Sequence, residues 1–391
     1  MLQNKDSNES THFHTQSKQE SANEDKKSSL SLTASKIIRR ILLSIFTVIV
    51  CTLIALFTSL YILVNGECQP LRDRLVLSAM QASATKWLPG LFMPQETVDQ
   101  IVKASYVVNT DVISLDEYSS SVSQSDSAIT QDKWAEAVDG MIFETIKGST
   151  FTGYVLLVKD PSRVFVGTSS DFKSGLTGKT IFDIAKKENA VAAINAGEFA
   201  DPGGQGTGNN PMGVTYSKGS CVWNDSLKRT FIGLDRENKL IVTEPMTKSK
   251  ADELQIRDGV SFQNGNVLIT NENGNVSIHY SDNNTGTAQR TAIGQTADGT
   301  IILLVTDGRS ASSLGATKND VIDVMIGYGA ISAGMLDGGS SSLMYYEDYF
   351  TKYSYDTSKL DEYQRRGLVN KYKAFTTPRR MPTYFCVAKE Q

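Results

Sequence analysis

Apolar and polar positions follow four successive patterns along this chain. Residues 1–36 are dominated by Ser, Asn, Gln, Lys and Glu, and too few apolar side chains are present to fold them, so a disordered tail is expected. Ile41–Val64 carries no charge and, at 1.5 Å per residue, is long enough to cross a hydrocarbon core of ~30 Å. An anchor over 37–64 is the expectation. Leu75, Val76, Ala79 and Met80 then recur at helical spacing. Pro89-Gly90 breaks that helix, and a second begins near Pro94 through Val98, Ile101 and Val102. A helical hairpin of this kind, followed by a Ser-rich linker at 114–132, makes 65–135 a stalk. From 136 to 391 the pattern changes to short apolar and β-branched runs punctuated by Gly, Asn, Asp and Pro.

Strands are predicted in that last region at Thr152–Val158, Val164–Gly167, Ala190–Ile194, Met212–Tyr216, Thr230–Leu234, Leu240–Val242, Val267–Ile269, Ile301–Val305, Ser332–Leu336, Leu343–Tyr346 and Arg379–Val387. Short helices are predicted over Thr180–Lys187 and Lys318–Tyr328, and Tyr349–Lys373 is read as a surface loop. The fold class is therefore α+β: a mixed β core with short flanking helices, preceded by one transmembrane helix and a helical stalk.

Composition narrows the setting. The 391 residues are 40% apolar and 21% charged, enough for a sizeable core. A net charge of −4 does not favour nucleic acid as a partner. Lys26, Lys27, Lys36, Arg39 and Arg40 precede the apolar run, while Glu67, Arg72, Asp73 and Arg74 follow it. The positive-inside rule puts the N-terminus in the cytoplasm and 136–391 outside, in a single-pass cell-membrane protein with a signal-anchor. Cys51, Cys68, Cys221 and Cys386 form no CxxC pair, which argues against a cysteine zinc site and makes Cys221 and Cys386 free thiols. His12 and His14 fall in the tail, and His279 stands alone with a structural or surface role.

The candidate chemistry lies where apolar strands end in polar, Gly-containing loops. This happens at Asn195-Ala196-Gly197-Glu198-Phe199-Ala200-Asp201, at Thr306-Asp307-Gly308-Arg309 and at Leu336-Asp337-Gly338-Gly339-Ser340-Ser341. Glycine lets a backbone turn sharply and a ligand approach closely, and functional groups concentrate on loops held by rigid strands. The three loops are expected to converge at one end of the β core. The competing reading for each Asp is a turn or a helix cap.

With Arg290-Thr291-Ala292-Ile293-Gly294, these blocks resemble the phosphodiester glycosidase family: N-acetylglucosamine-1-phosphodiester α-N-acetylglucosaminidase-like proteins and, in bacteria, those of exopolysaccharide biosynthesis type. The likeness covers about residues 140–390 in the family's order. Ala196 and Glu198 depart from the family's N-G-G-F-F-like loop. The resemblance implies hydrolysis of a sugar–phosphate diester, in a phosphoglycan or similar substrate. For that reaction a carboxylate must stabilise the oxocarbenium-like carbon or activate water, and Asp337, Asp307 and Glu198 are the catalytic candidates, with Asp337 first. Arg290 and Arg309 would contact phosphate, and Asn195, Asp201, Asn209, Ser340 and Ser341 would contact sugar or phosphate. No cofactor or metal is called for, although Asp and backbone carbonyls could supply oxygen ligands to Ca²⁺. Two alternatives stand beside this reading: a non-catalytic glycan-binding envelope protein and a metal-dependent phosphodiesterase.

Overall fold

A computed structural model describes residues 36–62, 64–66, 68–81, 85–105, 108–122, 129, 131–170, 172, 176–202, 206–281, 286–310, 313–372 and 377–390. The expected tail, with His12 and His14, lies outside the described residues. The chain divides into two compact units, Met1–Glu67 and Cys68–Gln391. In the first, helix α1 (Lys36–Ile62) is long and apolar enough to cross a membrane, and it exposes Leu42, Phe46, Val48 and Leu53 along its length. Such a helix fits either an anchor or a signal sequence.

The second unit is mixed α+β. Its helices are α2 (Gln69–Met80), α3 (Gln95–Ala104), α4 (Leu115–Val122), α5 (Gln131–Ala135), α6 (Ile181–Glu188), α7 (Lys248–Glu253), α8 (Lys318–Gly327), α9 (Tyr349–Lys352) and α10 (Glu362–Arg365). The strands, in chain order, are β1 (Val108–Ser114), β2 (Met141–Lys147), β3 (Thr152–Val158), β4 (Val164–Thr168), β5 (Ala190–Asn195), β6 (Val214–Ser217), β7 (Ser220–Asn224), β8 (Arg229–Asp235), β9 (Leu240–Met246), β10 (Ile256–Phe262), β11 (Val267–Glu272), β12 (Asn275–Ser281), β13 (Thr291–Thr296), β14 (Ile301–Thr306), β15 (Ala330–Met335), β16 (Met344–Tyr346) and β17 (Thr383–Ala388).

Three sheets form, in the orders β1-β12-β11-β15-β13-β14-β3-β2, β7-β6-β10-β8-β9 and β16-β5-β17-β4. Leu156, Ile194, Ile232, Val260, Leu303 and Phe385 meet in one core, so all three sheets contribute to it. Strands buried on both faces, such as β5 and β14, show the unbroken apolar runs that such burial demands. The far face of the large sheet is covered by Val321, Ile322 and Met325 of α8. A capping box between Thr317 and Asp320 starts that helix.

Two segments differ from expectation. The described start of the expected linker over 114–132 is structured: β1, just before it, pairs with β12 over its whole length, and α4 buries Tyr118, whose hydroxyl donates to the Ala330 carbonyl at 2.7 Å. A single buried aromatic anchor outweighs the Ser-rich composition around it. Tyr349–Lys373 is likewise more than a surface loop, since it buries Tyr349, Phe350, Leu368, Val369 and Asn370.

Candidate active site

The site is built where the three sheets touch. The loop leaving β5 runs beneath β10: the Glu198 N–H donates to the Ser261 carbonyl at 2.9 Å, and the Gly197 N–H to the Thr383 hydroxyl at 3.1 Å. A Cβ on Gly197 would lie 2.9 Å from the Val260 side chain, so glycine is what permits this approach. The loop leaving β15 crosses the same point. Its Asp337 N–H donates to the Ala196 carbonyl at 3.0 Å. Gly339 takes a left-handed φ of 62° and donates its N–H to the Gln289 carbonyl at 2.9 Å. One carboxylate from each loop therefore reaches a common polar region.

Asp337 is half-buried. Loss of solvent pushes its carboxyl up to about 6; the Ser341 hydroxyl bond and Arg379 oppose the shift, and Glu198 adds to it by repulsion. Glu198 is also raised, first by burial, against the pull of Arg229, a Gln263 hydrogen bond and Lys86. Its Oε2 lies 3.3 Å from Arg229 Nε, yet neither atom makes an aligned hydrogen bond. The Gln263 amide donates to Oε1 at a long 3.4 Å. Two carboxyls with raised pKa values within electrostatic reach of each other are the pattern of an acid–base or nucleophile pair.

Arg379 was not singled out in the sequence. It follows a long polar insertion and reads there only as the start of a strand. Its guanidinium pairs with Asp201 at 2.7 Å, approaches Ser340 Oγ at 3.5 Å and lies over the Phe199 ring, 5.0 Å from the centroid. Lys86, Arg229 and Gln263 were missed for the same reason, because no local motif marks them. Ser340 is exposed beside Arg379, whereas Ser341 is buried beneath Asp337.

The remaining expected site residues are tied into the framework. Asn195 is fully buried; its Oδ1 accepts from Thr291 Oγ1 at 2.8 Å and from the Leu343 N–H at 3.1 Å, and its Nδ2 donates to the Asp337 carbonyl. Both ends of that amide are engaged by protein groups. Asn209 is buried and accepts from the Ser170 hydroxyl at 2.9 Å. Asp307 accepts from the Tyr154 hydroxyl at 2.8 Å and the Lys371 N–H at 3.2 Å, while burial raises its pKa. Arg290 is buried and donates to the Ala316 and Gly286 carbonyls and to Gln81 Oε1. Burial, with Arg309 nearby, lowers its pKa to about 10. Those bonds occupy all three guanidinium nitrogens with protein acceptors. Arg309 is exposed, at a left-handed φ of 55°.

His279 sits between two threonines, with Nδ1 3.1 Å from Thr110 Oγ1 and Nε2 3.1 Å from Thr270 Oγ1, a structural placement. Cys221 is a half-buried free thiol and Cys386 a buried one. Among the described residues no group of three or more His, Cys, Asp or Glu side chains could hold a metal ion.

The profile of the phosphodiester glycosidase family matches residues 188–388, which is half of the chain and spans every one of these loops. The chain belongs to the phosphodiester glycosidase family. A curated relative, the SPbeta prophage-derived uncharacterized protein YomE of Bacillus subtilis (strain 168), is 28% identical over 191 residues. That match takes in 47% of this chain but 27% of the relative, so the chain spans about a quarter of the relative's length. Among solved structures, the catalytic domain of zebrafish N-acetylglucosamine-1-phosphodiester α-N-acetylglucosaminidase, auto-inhibited by its pro-peptide, aligns over 72% of this chain and 88% of that one, with 17% identity and a TM-score of 0.47. A hypothetical protein from Synechocystis aligns over 64% of this chain and 62% of its own, with 14% identity and a TM-score of 0.42. Within the family frame, the aspartate after β15 and the loop after β5 fall inside the matched region.

Proposed function

We propose that this family member is a membrane-anchored, extracytoplasmic hydrolase that cleaves the bond between an anomeric carbon and a phosphate, in exopolysaccharide or cell-envelope glycan metabolism. In this reading α1 is the anchor, the residues before it are cytoplasmic, and the catalytic domain occupies 136–391 with 68–122 packed into the same unit. The observation that carries the reading is the meeting of two acid-bearing loops, joined by the bond from the Asp337 N–H to the Ala196 carbonyl at 3.0 Å, with Arg379 among the charges that act on Asp337.

The chemistry follows from the leaving group. A phosphate monoester departs with little protonation, and its growing charge needs a cation. Arg379 is that cation, with its fork partly engaged by Asp201 and its remaining donors toward Ser340. The sugar carbon gains oxocarbenium character, and an ionised Asp337 faces it as nucleophile, base or electrostatic partner. Glu198 is the second carboxyl, handling the proton of the attacking water. Asp307 and Arg290 hold the loops that carry this pair.

The test is product analysis. The full chain, purified in detergent, is given a sugar-1-phosphodiester in ¹⁸O-water. Release of free sugar carrying ¹⁸O, and its loss in Asp337→Asn, is the expected result. Label in the phosphate would assign the chemistry to P–O cleavage, as in a phosphodiesterase. Equal background rates for both proteins would leave glycan binding without hydrolysis.

A further inference from the structure

Helices α2 and α3 and the turn between them fold into a hairpin with an apolar inner side. Val76 and Leu77 of α2, Pro89 and Met93 of the turn, and Val98 and Ile101 of α3 are buried. The Thr85 hydroxyl donates to the Ala79 carbonyl at 2.7 Å, which ties the turn to the end of α2. The hairpin is docked on the segment that leads to β13. There the Thr287 N–H donates to the Ser78 hydroxyl at 3.0 Å, and Arg290 Nη1 to Gln81 Oε1 at 3.2 Å. Gly286 packs so closely that a Cβ on it would lie 2.2 Å from the Ser78 nitrogen. The outer side of the hairpin is thus held in place.

That outer side carries large apolar residues. Trp87 is 63% exposed and Leu91 58%, while Leu71 and Leu75, one helical turn apart on α2, are 43% and 44% exposed. Single exposed apolar residues are ordinary. Four on one hairpin, a tryptophan among them, call for a cover. The cations Arg74 and Lys86, next to Leu75 and Trp87 in the chain, are exposed as well. Tryptophan, leucine and basic residues together make up segments that lie at the boundary between lipid headgroups and acyl chains.

We infer that the outer side of this hairpin rests in the headgroup layer of the bilayer that α1 crosses, an inference that rests on the anchor reading of α1. Chain length brings the two within reach. α1 ends at Ile62 and α2 begins at Gln69, and seven residues at full extension span at most about 25 Å. α2 therefore starts within that distance of the end of the anchor, whatever path the intervening residues take. A second protein would have to find this face by diffusion, whereas the bilayer is always at hand. Trp87 favours the headgroup boundary, the three leucines supply apolar area to bury, and Arg74 and Lys86 draw anionic lipids. The contact also bears on the site. Lys86 acts electrostatically on Glu198, and Gln81 holds Arg290, so the hairpin that meets the bilayer also borders the carboxylates.

The chain has three tryptophans, Trp87, Trp134 and Trp223, and α1 holds none of them, so fluorescence reads the contact directly. The full chain is reconstituted in vesicles of phosphatidylcholine and phosphatidylglycerol whose acyl chains either carry bromine next to the headgroup or carry none. Bromine quenches an indole only at contact. The wild type should lose up to about a third of its emission in the brominated vesicles, the share of one tryptophan in three. Trp87→Phe, a change at an exposed position, should lose none. Leu91→Asp, which puts a charge into the same layer, should roughly halve the wild-type loss. The inference is overturned if the wild type and Trp87→Phe lose the same share, whether both are quenched or neither is. It is also overturned if the chain recovered from cells lacks residues 1–62, since α1 is then a signal sequence; the hydrolase chemistry would survive that result. Quenching at Trp87 in a chain that releases no sugar would sink the hydrolase reading and leave the contact standing.

Discussion

The loop after β14 and the loop after β15 start from the same ingredients. Each follows an apolar strand with an aspartate and a glycine, and each has an arginine at hand. Around Asp307 every group faces inward: Tyr154 and Lys371 hold the carboxylate, and Arg290 grips two carbonyls and Gln81. Around Asp337 the groups are left partly open. Glu198 Oε2 and Arg229 Nε make no aligned hydrogen bond, and Arg379 and Ser340 remain accessible to solvent. A polar cluster engaged on every side rigidifies, whereas accessible groups such as Arg379 and Ser340 can exchange their partners for a ligand's. On the proposed reading, the comparison divides the expected residues into a framework and a reactive group.

Arginine replacements break this comparison most sharply. Arg290→Met removes a buried cation that satisfies three acceptors, and should cost about 3–5 kcal/mol of stability in urea unfolding. A loss below about 1 kcal/mol would end its framework role. Arg379→Ala should lower turnover about 10²-fold, the scale of one charge-stabilising donor, while its partly exposed ion pair changes stability by less than about 1 kcal/mol.

Asp337→Asn gives the next effect, and its sign is diagnostic. The folded state holds the Asp337 proton up to about 6, whereas the unfolded chain releases it near 3.9. Between those values the folded state binds more protons, so this group's contribution to stability falls as pH rises through the window. At neutral pH the asparagine variant should therefore unfold at higher denaturant, by on the order of 1–3 kcal/mol, although it is inactive. A destabilised variant would contradict the strained-carboxyl account. Activity should show the opposite trend and rise as pH passes about 6. Glu198→Gln, by removing the neighbouring negative charge, should move the Asp337 midpoint downward, as read by carboxyl ¹³C NMR in that variant. The smallest effect belongs to Tyr154→Phe, which removes one hydrogen bond to Asp307 and should cost about 1 kcal/mol with turnover unchanged.

Much of this organisation could be read from the chain. β5, β14 and β15 stood out because strands buried on both faces need uninterrupted apolar runs, and the polar loops at their ends followed directly. Edge strands were less visible: β7 alternates exposed and part-buried positions, and β2 carries Glu144 and Lys147 among its apolar residues. Tertiary packing, not local pattern, keeps them extended. The carboxylates Glu198 and Asp337 were legible as strand-end acids. Asn195 and Asn209 looked equally available, since burial and hydrogen-bond partners are not encoded in residue type. Arg379, Arg229 and Lys86 reach Glu198 or Asp337 from distant parts of the chain, and only the meeting of three sheets brings them there.

The central division is tested most directly by comparing Asp337→Asn and Asp307→Asn side by side, with folding verified, on one sugar-1-phosphodiester. The account predicts that Asp337→Asn loses about 10³-fold or more in kcat/KM while Asp307→Asn stays within about tenfold of the wild type. Equal losses in both, or the larger loss in Asp307→Asn, would contradict it.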